Sequence, residues 1–299
     1  MRIETIGLMT PGDMGQAVAQ QLQAGGFDVC TALEGRSERS HALAREAGLR
    51  DLGSIRHLVD ACDVVLSIMN PGAAVDFARQ AAEALRTTGR HTLIVDCNAI
   101  APDTVHGIAA EVQQAGGRFL DGGIIGPPPR GSARTRLYVS GPGAADLEPL
   151  AGPQLQVQVV SERIGDASAL KMCFAGLNKG TQLLWLEIQV AAQHLGIADL
   201  LERQLGQSLG GMRDWSLASF PLLPAKAYRW EPEMREIAKT LGAAGITPKV
   251  FEGAADICAF AAQTAMAQET PENRDPARDG QAVVRALAAA KAGTAPTPR

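Results

Sequence analysis

The sequence predicts an α/β domain with a doubly wound, mainly parallel sheet, followed by an all-α domain. Short apolar runs alternate with helical patterns over the first half of the chain, and the strand signal is lost in the second half. Strands that alternate with helices in this way indicate βαβ crossovers, which produce parallel sheets. The 299 residues also exceed the usual size of one domain. We therefore expect one domain over residues 1–163 and a second over residues 164–299.

The first domain is predicted to open with a buried strand at Arg2–Leu8 and a helix at Gln16–Ala24. The other predicted strands are Phe27–Leu33, Val64–Met69, Thr92–Asp96, Arg118–Leu120 and Leu137–Ser140. The helices predicted between them are Arg39–Ala47, Ala73–Leu85 and Thr104–Ala115. Glycines and prolines at Gly122-Gly123 and Gly126–Arg130 predict a loop between the domains. Arg130 is expected to face solvent or an anionic substrate.

The second domain is predicted to begin with one long, mostly apolar helix at Ser168–Leu195. Helical segments follow it, separated by a glycine pair and by prolines. The last predicted helix is Gly280–Ala290, and a flexible tail is expected from about 292 to 299. Because the long helix is too apolar to stand alone, we expect a homodimer.

Composition and charge exclude several classes of protein. A net charge of −4 provides no basic surface for nucleic acid. The sequence contains no run of about 18 apolar residues, so no membrane span is predicted, and the N-terminus lacks the pattern of a signal peptide. The five cysteines form no CxxC pair, and the five histidines have no metal-ligand spacing, so we expect neither a disulfide framework nor a metal site. A cytoplasmic protein with a small-molecule ligand is the expectation.

A glycine turn directly after the first strand predicts a dinucleotide site. It consists of Thr10, Pro11, Gly12, Asp13, Met14 and Gly15. The N-terminus of the following helix presents N–H groups and a partial positive charge to a pyrophosphate. Gly12 and Gly15 occupy the second and third glycine positions of the GxGxxG fingerprint, whereas Thr10 departs from the first. The turn favours a Rossmann domain, and the alternative is a tight connection in another doubly wound protein.

The end of the second predicted strand indicates which dinucleotide is bound. An acidic residue here bonds the ribose hydroxyls of NAD, and an arginine accepts the 2′-phosphate of NADP. The chain has both types, Glu34 and Arg36, and Ser37 adds a hydroxyl beside the arginine. A guanidinium next to a hydroxyl suits a phosphate, so we expect NADP(H), with NAD(H) as the alternative. The alternative interpretation is that Arg36 is a solvated charge in a loop.

Five segments together resemble the β-hydroxyacid dehydrogenases, in their order and spacing. They are Ile6–Gly15, Val64–Pro71, Val95–Pro102, Phe119–Gly126 and Gly165–Lys171. That superfamily includes 3-hydroxyisobutyrate dehydrogenase, 6-phosphogluconate dehydrogenase and, more distantly, the imine reductases. The resemblance covers roughly residues 3–180. The segment Ala227–Gly245 looks like a branch whose C-terminal domain is phosphogluconate-dehydrogenase-like.

The resemblance implies a catalytic lysine at Lys171, which follows Gly165 by six residues. In the family this lysine lies at the start of the long helix and acts as general acid/base during hydride transfer. A lysine on an apolar helix that faces a cleft is desolvated, which lowers its pKa toward the working range. The alternative is a surface lysine whose stem lies over its apolar neighbours.

Several substrate and cofactor positions depart from the family pattern. The family asparagine one turn after the lysine is Ala175 here, and Asn178 and Lys179 follow two turns on as candidates for substrate contact. The family Asp-x-Ser-Thr segment reads Asp96-Cys97-Asn98-Ala99, so Asn98 is expected to contact cofactor and substrate. The loop over the cofactor ribose corresponds to Met69, Asn70 and Pro71.

The turn that binds a substrate carboxylate in the family is also altered. Its Ser-Gly-Gly sequence is replaced by Ile125-Gly126-Pro127, and Ile125 has no hydroxyl to donate. The resemblance therefore implies a substrate that is bulkier or less acidic than a small β-hydroxyacid. A cluster of aromatic residues that includes Trp215 either packs in the core or a dimer interface, or closes over the substrate.

These features predict an NADP(H)-dependent oxidoreductase that acts on a hydroxyl or carbonyl carbon. An imine reductase is the first alternative, although such enzymes usually replace the lysine found here at Lys171. A decarboxylating dehydrogenase is the second, and the missing asparagine argues against it. A non-catalytic sensor that binds NADP(H) is the third, since Thr10, Ala175 and Ile125 all depart from the family pattern.

Overall fold

The computed structural model consists of two compact units and describes residues 2–270 and 273–292. The first unit ends at Cys173 and the second begins at Phe174. The tail predicted from about 292 to 299 lies outside the described residues, except for the backbone of Ala292. Within the described ranges, no helix has both the length and the apolar character needed to cross a membrane.

The first unit alternates strands and helices. Its strands, among the described residues, are β1 (Thr5–Met9), β2 (Asp28–Thr31), β3 (Arg50–Asp51), β4 (Val64–Ser67), β5 (Leu93–Asp96), β6 (Arg118–Ile125), β7 (Thr135–Ser140) and β8 (Leu155–Ser161). The helices between them are α1 (Asp13–Ala24), α2 (Glu38–Glu46), α3 (Ile55–Ala61), α4 (Ala74–Thr88) and α5 (Pro102–Gln114). The α/β alternation predicted from the sequence is confirmed.

All the strands join one sheet in the order β3-β2-β1-β4-β5-β6-β7-β8. Only the β6–β7 pair is antiparallel among the pairings of the described residues. The order turns back between β1 and β4, and in such sheets ligands bind at the carboxyl ends of the strands beside this reversal. The doubly wound, mainly parallel sheet is therefore confirmed.

Two apolar clusters cover the two faces of the sheet. On β4 and β5, Val64, Leu66 and Leu93 belong to one cluster, whereas Val65 and Ile94 belong to the other. Alternate residues of a strand point to opposite faces, so helices must cover both sides. Side chains of α1 pack in one cluster and those of α3, α4 and α5 in the other. Burial on both faces explains the continuous apolar runs from which these strands were predicted.

Two strands and one α-helix of the first unit were missed by sequence reasoning, namely β3, β8 and α3. β3 has only two residues, both exposed, and α3 has seven, which is too short for a clear helical period. β8 alternates apolar and polar residues, but Val159 and Val160 at its far end are 42 % and 39 % exposed. An edge strand of this kind lacks the strongly apolar signal of the buried strands.

The loop predicted at Gly122-Gly123 is wrong, because both residues lie inside β6. A Cβ atom on Gly122 would lie 2.9 Å from the Asp96 carbonyl oxygen, and one on Gly123 would lie 2.9 Å from the Ala167 carbonyl oxygen. The two glycines thus allow neighbouring backbone to pack against the strand. Their signal is close approach rather than chain reversal. A loop does include Gly126–Arg130, but it joins β6 to β7 within the first unit, so the prediction that it lies between the domains is wrong.

All the secondary-structure elements among the second unit's described residues are helices, which confirms the predicted all-α domain. Helix α6 (Asp166–His194) begins in the first unit and ends in the second. It is followed by α7 (Ala198–Ser208), α8 (Gly210–Ser219), α9 (Leu223–Ala243), α10 (Lys249–Ala261) and α11 (Gly280–Ala292). Gly176 and Gly180 of α6 leave room for the Phe251 ring of α10, because a Cβ on either would lie within 3.1 Å of it.

Candidate active site

The turn between β1 and α1 has the geometry of a phosphate-binding turn. Gly12 precedes α1 in an extended conformation, and no side chain caps the helix. A Cβ atom on Gly12 would meet no atom within 4 Å, whereas one on Gly15 would lie 2.0 Å from the Thr10 carbonyl oxygen. Gly15 is therefore required for packing, and Gly12 leaves an open face in front of N–H groups that have no side-chain acceptor. The turn fits a diphosphate group.

The segment after β2 carries Arg36, whose guanidinium has no acidic partner among the described residues. Arg36 is half-buried, and its backbone N–H donates to the Leu33 carbonyl oxygen at 2.9 Å. Burial lowers the pKa of its guanidinium, and none of the residues described in the structure forms an ion pair with it. Ser37 caps α2 by accepting from the Ser40 N–H at 3.3 Å, and Glu34 is exposed. A half-buried cation of this kind can accept a phosphate without first breaking an internal bond.

Asn98 joins the carboxyl ends of β4 and β5. Its Oδ1 accepts from the Met69 N–H at 2.6 Å, and its Nδ2 donates at 2.8 Å to Ser67 Oγ and to Asp96 Oδ2. Asn98 is only 2 % exposed. Its amide is thus engaged within the protein, which is the arrangement of a residue that positions the Met69 loop. Burial raises the pKa of Asp96 to about 7, although hydrogen bonds from Asn98 oppose the shift.

The rest of the Met69 loop forms a short 3₁₀ turn. Asn70 Oδ1 accepts from the Gly72 N–H at 3.1 Å, and Pro71 begins the turn. The Thr10 N–H donates to the Ile68 carbonyl oxygen at 2.8 Å, which places the start of this loop beside the phosphate turn. The structure therefore brings together the predicted cofactor residues Thr10 and Met69 at the reversal of the strand order.

Asp121 is a residue of the candidate site that sequence reasoning missed. It lies on β6 with no exposed surface, and its Oδ2 accepts from Gly165 N at 3.0 Å and from Ser168 N at 2.9 Å. Ser168 Oγ donates to Oδ1 at 2.6 Å, and Ser140 Oγ donates to Oδ2 at 3.0 Å. Burial raises the pKa of the carboxyl group, and these bonds oppose the shift. An aspartate within an apolar strand was the available signal.

The Asp121 carboxylate fixes the start of α6, and Lys171 lies in the second turn of that helix. Lys171 is half-buried, and its Nζ donates to the Ile124 carbonyl oxygen. Gly123 makes this approach possible, because a Cβ there would lie 3.2 Å from Lys171 Cβ. The next residues are Ile125 and Gly126, the predicted substrate turn. The structure thus brings the predicted catalytic lysine and the predicted substrate turn together within one unit.

The remaining predicted substrate residues lie in the second unit. Asn178 is exposed, and its Oδ1 accepts from Gln182 Nε2 at 2.7 Å. Trp215 is 41 % exposed. Lys179 pairs with the buried Glu233 and lies over the Trp230 ring, 5.1 Å from its centroid. Lys179 is thus held by a structural ion pair.

No three acidic, histidine or cysteine side chains converge on a metal-sized site in the part of the chain that the structure describes. Arg130, which sequence reasoning left between solvent and substrate, donates instead to Asp13 and Gln16 of α1. This contact joins residues 117 positions apart, so no local sequence pattern could have predicted it.

Two domain families match the chain. Residues 2–149 match the NAD binding domain of 6-phosphogluconate dehydrogenase, and residues 192–260 match a domain of unknown function, DUF1932. The second match contains the segment Ala227–Gly245, from which the sequence analysis predicted a distinct branch.

Three similar proteins illustrate the relationship. A Methanothermus fervidus protein, named as an uncharacterized 28.5 kDa protein in the 7S RNA 5′ region, is 28 % identical over 210 residues, which is 70 % of this chain and 78 % of the relative. The solved structure of the conserved protein MTH1747, described as similar to 3-hydroxyacid dehydrogenases, is 28 % identical with a TM-score of 0.61. It covers 86 % of this chain and 97 % of its own. Mycobacterium tuberculosis 3-hydroxyisobutyrate dehydrogenase has a TM-score of 0.67 at 20 % identity, over 96 % of this chain and 99 % of its own.

Proposed function

We propose that this chain is an oxidoreductase with Lys171 as its general acid/base. The chain belongs to the proteins that join the NAD binding domain of 6-phosphogluconate dehydrogenase to a DUF1932 domain. The reaction is hydride transfer between a nicotinamide and the hydroxyl or carbonyl carbon of a small organic substrate. The observation that carries the proposal is the position of Lys171 beside the Ile125-Gly126 turn, on a helix fixed by the buried Asp121.

The residues of the first unit divide the chemical work. The open N-terminus of α1 and Gly12 would hold the cofactor diphosphate. The bound nicotinamide supplies or accepts the hydride. Lys171 delivers a proton to the substrate oxygen as negative charge develops on it, or removes that proton in the oxidative direction. Its contact with the Ile124 carbonyl oxygen orients the ammonium toward the turn on which substrate is proposed to lie.

NADP(H) is the proposed cofactor, with NAD(H) as the alternative. Arg36 supports it, because a half-buried guanidinium without an acidic partner among the described residues favours a phosphate dianion. Ser37 would add its hydroxyl to the same group. Glu34 is exposed and makes no ion pair with any described residue, so its carboxylate is free to bond ribose hydroxyls. NAD(H) binding would depend on this residue.

The proposed substrate is less acidic or bulkier than a small β-hydroxyacid. Ile125 offers no hydroxyl, and the Asn98 amide is bonded to Ser67, Asp96 and Met69. The site therefore lacks two donors with which a compact carboxylate would be held. Asn178 and Trp215, exposed in the second unit, are proposed as further substrate contacts.

A homodimer is proposed because α6 carries an apolar stripe that its own chain leaves exposed. We define the α6 stripe as Phe174, Leu177, Leu184 and Ile188, which are 45 %, 77 %, 58 % and 50 % exposed. Their spacing of three, four or seven residues is that of a helix seam which packs on another helix. A second copy of the chain would bury it. A cytoplasmic location is proposed from the five cysteines, all of which are free.

The test is a binding titration followed by a substrate screen. We expect the full chain to bind NADPH about tenfold or more tightly than NADH, measured by nicotinamide fluorescence. A panel of hydroxyacids and the corresponding carbonyl compounds then identifies a substrate by the change in nicotinamide absorbance. Absence of binding up to millimolar concentrations of both cofactors would contradict the proposed oxidoreductase.

Lys171→Ala separates catalysis from cofactor binding. We expect turnover to fall about 100-fold or more, while the dissociation constant for NADPH stays within about threefold. Lys249→Ala is the matched control, because Lys249 is an exposed lysine of α10. Full turnover in the Lys171→Ala protein would refute the general acid/base role, and a wild-type chain that binds NADPH without turnover on any panel member would favour the sensor.

A further inference from the structure

Arg130 lies between β6 and β7 and holds the first turn of α1. Its Nη1 donates to Asp13 Oδ1 at 3.0 Å, and its Nη2 donates to the Asp13 carbonyl oxygen at 2.9 Å and to Gln16 Oε1 at 2.7 Å. Three acceptors on one helical turn thus engage a single guanidinium. The planar guanidinium directs donors from two nitrogens at once, which suits such a set better than the single nitrogen of a lysine ammonium.

The segment that carries Arg130 is attached to the rest of the unit at several points. We define the Arg130 loop as residues 126–134. Thr135 Oγ1 donates to the Pro127 carbonyl oxygen, and Gln154 Nε2 donates to the Gly131 carbonyl oxygen. Gln154 Oε1 accepts in turn from Gln21 Nε2 of α1 at 2.7 Å. The backbone of the loop is therefore held in place by these hydrogen bonds. Less conformational entropy of the loop is lost when Arg130 holds the phosphate turn.

Asp13 makes the Arg130 contact important for an anionic ligand. Asp13 is the first residue of α1, the helix whose N-terminus is open. An aspartate here favours the helix itself, but its carboxylate repels a diphosphate bound at the same N-terminus. Arg130 neutralises that carboxylate. A bond from its Nη2 to the Asp13 carbonyl oxygen also fixes the backbone of the turn.

We infer that Arg130 is a positioning residue for the cofactor diphosphate, and that it acts by neutralising Asp13. The inference rests on the proposed function, because that function supplies the diphosphate. Arg130 itself is assigned no bond to the cofactor. Since its loop begins at Gly126, directly after Ile125, the contact also attaches the proposed substrate turn to the phosphate turn.

The contact contributes little to folding, which makes the inference testable. The side chains of Arg130 and Asp13 are 45 % and 46 % exposed. Ion pairs this exposed are screened by solvent and contribute at most about 1 kcal/mol to stability. Loss of Arg130 should therefore change cofactor affinity far more than it changes the thermal midpoint.

The experiment compares Arg130→Ala, Asp13→Asn and the double variant in the full chain, by NADPH titration and thermal unfolding. We expect Arg130→Ala to raise the dissociation constant about tenfold, because it exposes the diphosphate to one unpaired carboxylate. The thermal midpoint should move by no more than about 2 °C. In the double variant, affinity should return to within about threefold of that of Asp13→Asn alone. Arg134→Ala is the control, since Arg134 lies in the same loop and donates to the Pro153 carbonyl oxygen.

An Arg130→Ala protein with unchanged affinity would overturn the inference. So would a double variant weakened relative to Asp13→Asn as strongly as Arg130→Ala is weakened relative to wild type, because the effect would then not pass through Asp13. A wild-type chain that binds neither cofactor would overturn the proposed function and this inference with it. Normal wild-type binding beside an unaffected Arg130→Ala protein overturns the inference alone.

Discussion

The two units differ in how completely their buried polar groups are satisfied. In the first unit, the buried carboxylates Asp96 and Asp121 accept hydrogen bonds from Asn98, Ser140 and Ser168. Asn98 follows β5 directly, Ser140 lies on the neighbouring strand β7 and Ser168 lies on α6. In the second unit, three buried atoms lack a partner among the described residues, namely Gln189 Nε2, Ser216 Oγ and Glu233 Oε1. We call the hydrogen bonds of Asp96 and Asp121 the closed network of the first unit, because the donors named above lie within that unit. This network sets the position of the proposed catalytic lysine.

The exposed apolar surface shows the same contrast. Most of the large apolar side chains that are exposed belong to the second unit, among them Leu177, Leu195, Leu200 and Val250 at 60 % or more. A folded unit seldom leaves so many such side chains in water, and their presence indicates an interaction surface. These exposed side chains support the proposed homodimer, in which a second copy of the chain would bury them, whereas the first unit leaves few such side chains exposed.

Asp121→Ala gives the largest expected effect, because it breaks the closed network of the first unit. The buried hydroxyls of Ser168 and Ser140 and two backbone N–H groups lose their acceptor. We expect the free energy of unfolding to fall by about 3–5 kcal/mol, measured by urea denaturation. Asp166→Ala, which removes a carboxylate bonded to Ser161 and Arg163, serves as the control and should cost about 1 kcal/mol or less. An Asp121→Ala chain as stable as wild type would contradict the closed network.

Leu177→Glu tests whether the second unit is covered by another copy. Leu177 is 77 % exposed in the α6 stripe, and two-fold symmetry places two new carboxylates in one apolar interface. We expect the dissociation constant of the dimer to rise at least about 100-fold, measured by analytical ultracentrifugation. Val250→Glu, at 67 % exposed on α10 and outside the stripe, should leave the dimer intact. A wild-type chain that stays monomeric at high concentration, or a Leu177→Glu dimer of unchanged affinity, would reject the α6 stripe as the interface.

The smallest expected effect, measured over a single pH unit, is a pH dependence of the first unit's stability. Burial raises the pKa of Asp96 in the folded chain to about 7, well above its ordinary value, so the folded state binds more protons than the unfolded state between about pH 4 and 7. The contribution of Asp96 to stability is full below about pH 4 and is lost as the pH rises toward 7. We expect a slope of at most about 1.4 kcal/mol per pH unit, which Asp96→Asn flattens in urea titrations at several pH values. An equal slope in both proteins would contradict it.

Much of the proposed cofactor site was predictable because its determinants are local. Gly12 and Gly15 act within one turn, and their spacing relative to the first strand and helix is visible in the sequence. Lys171 was proposed from its motif, and the helix that carries it begins within two residues of the predicted start. Gly122 and Gly123 were misread because a glycine that permits close packing looks the same in sequence as one that ends a strand.

The residues that position the site could not be predicted in the same way. Asp121 lies 47 residues from Ser168, and Asn98 lies 29 residues from Met69, yet each pair is hydrogen bonded. Neither contact follows from periodicity, because it depends on which strands become neighbours. Arg130 and Asp13 are 117 residues apart. Each follows the carboxyl end of a strand, and the two ends lie at the same edge of the sheet because β1 and β6 run in the same direction.

The sequence alone determined the alternation of strands and helices, the phosphate turn and the long apolar helix, because each is written in the spacing of residues within about 30 positions. The tertiary structure decided which buried carboxylate holds α6, which amide is used up in positioning a loop and which arginine neutralises Asp13. The physical reason is that apolar periodicity reports the local backbone, whereas a polar side chain selects its partner from whatever the order of strands brings within hydrogen-bonding distance.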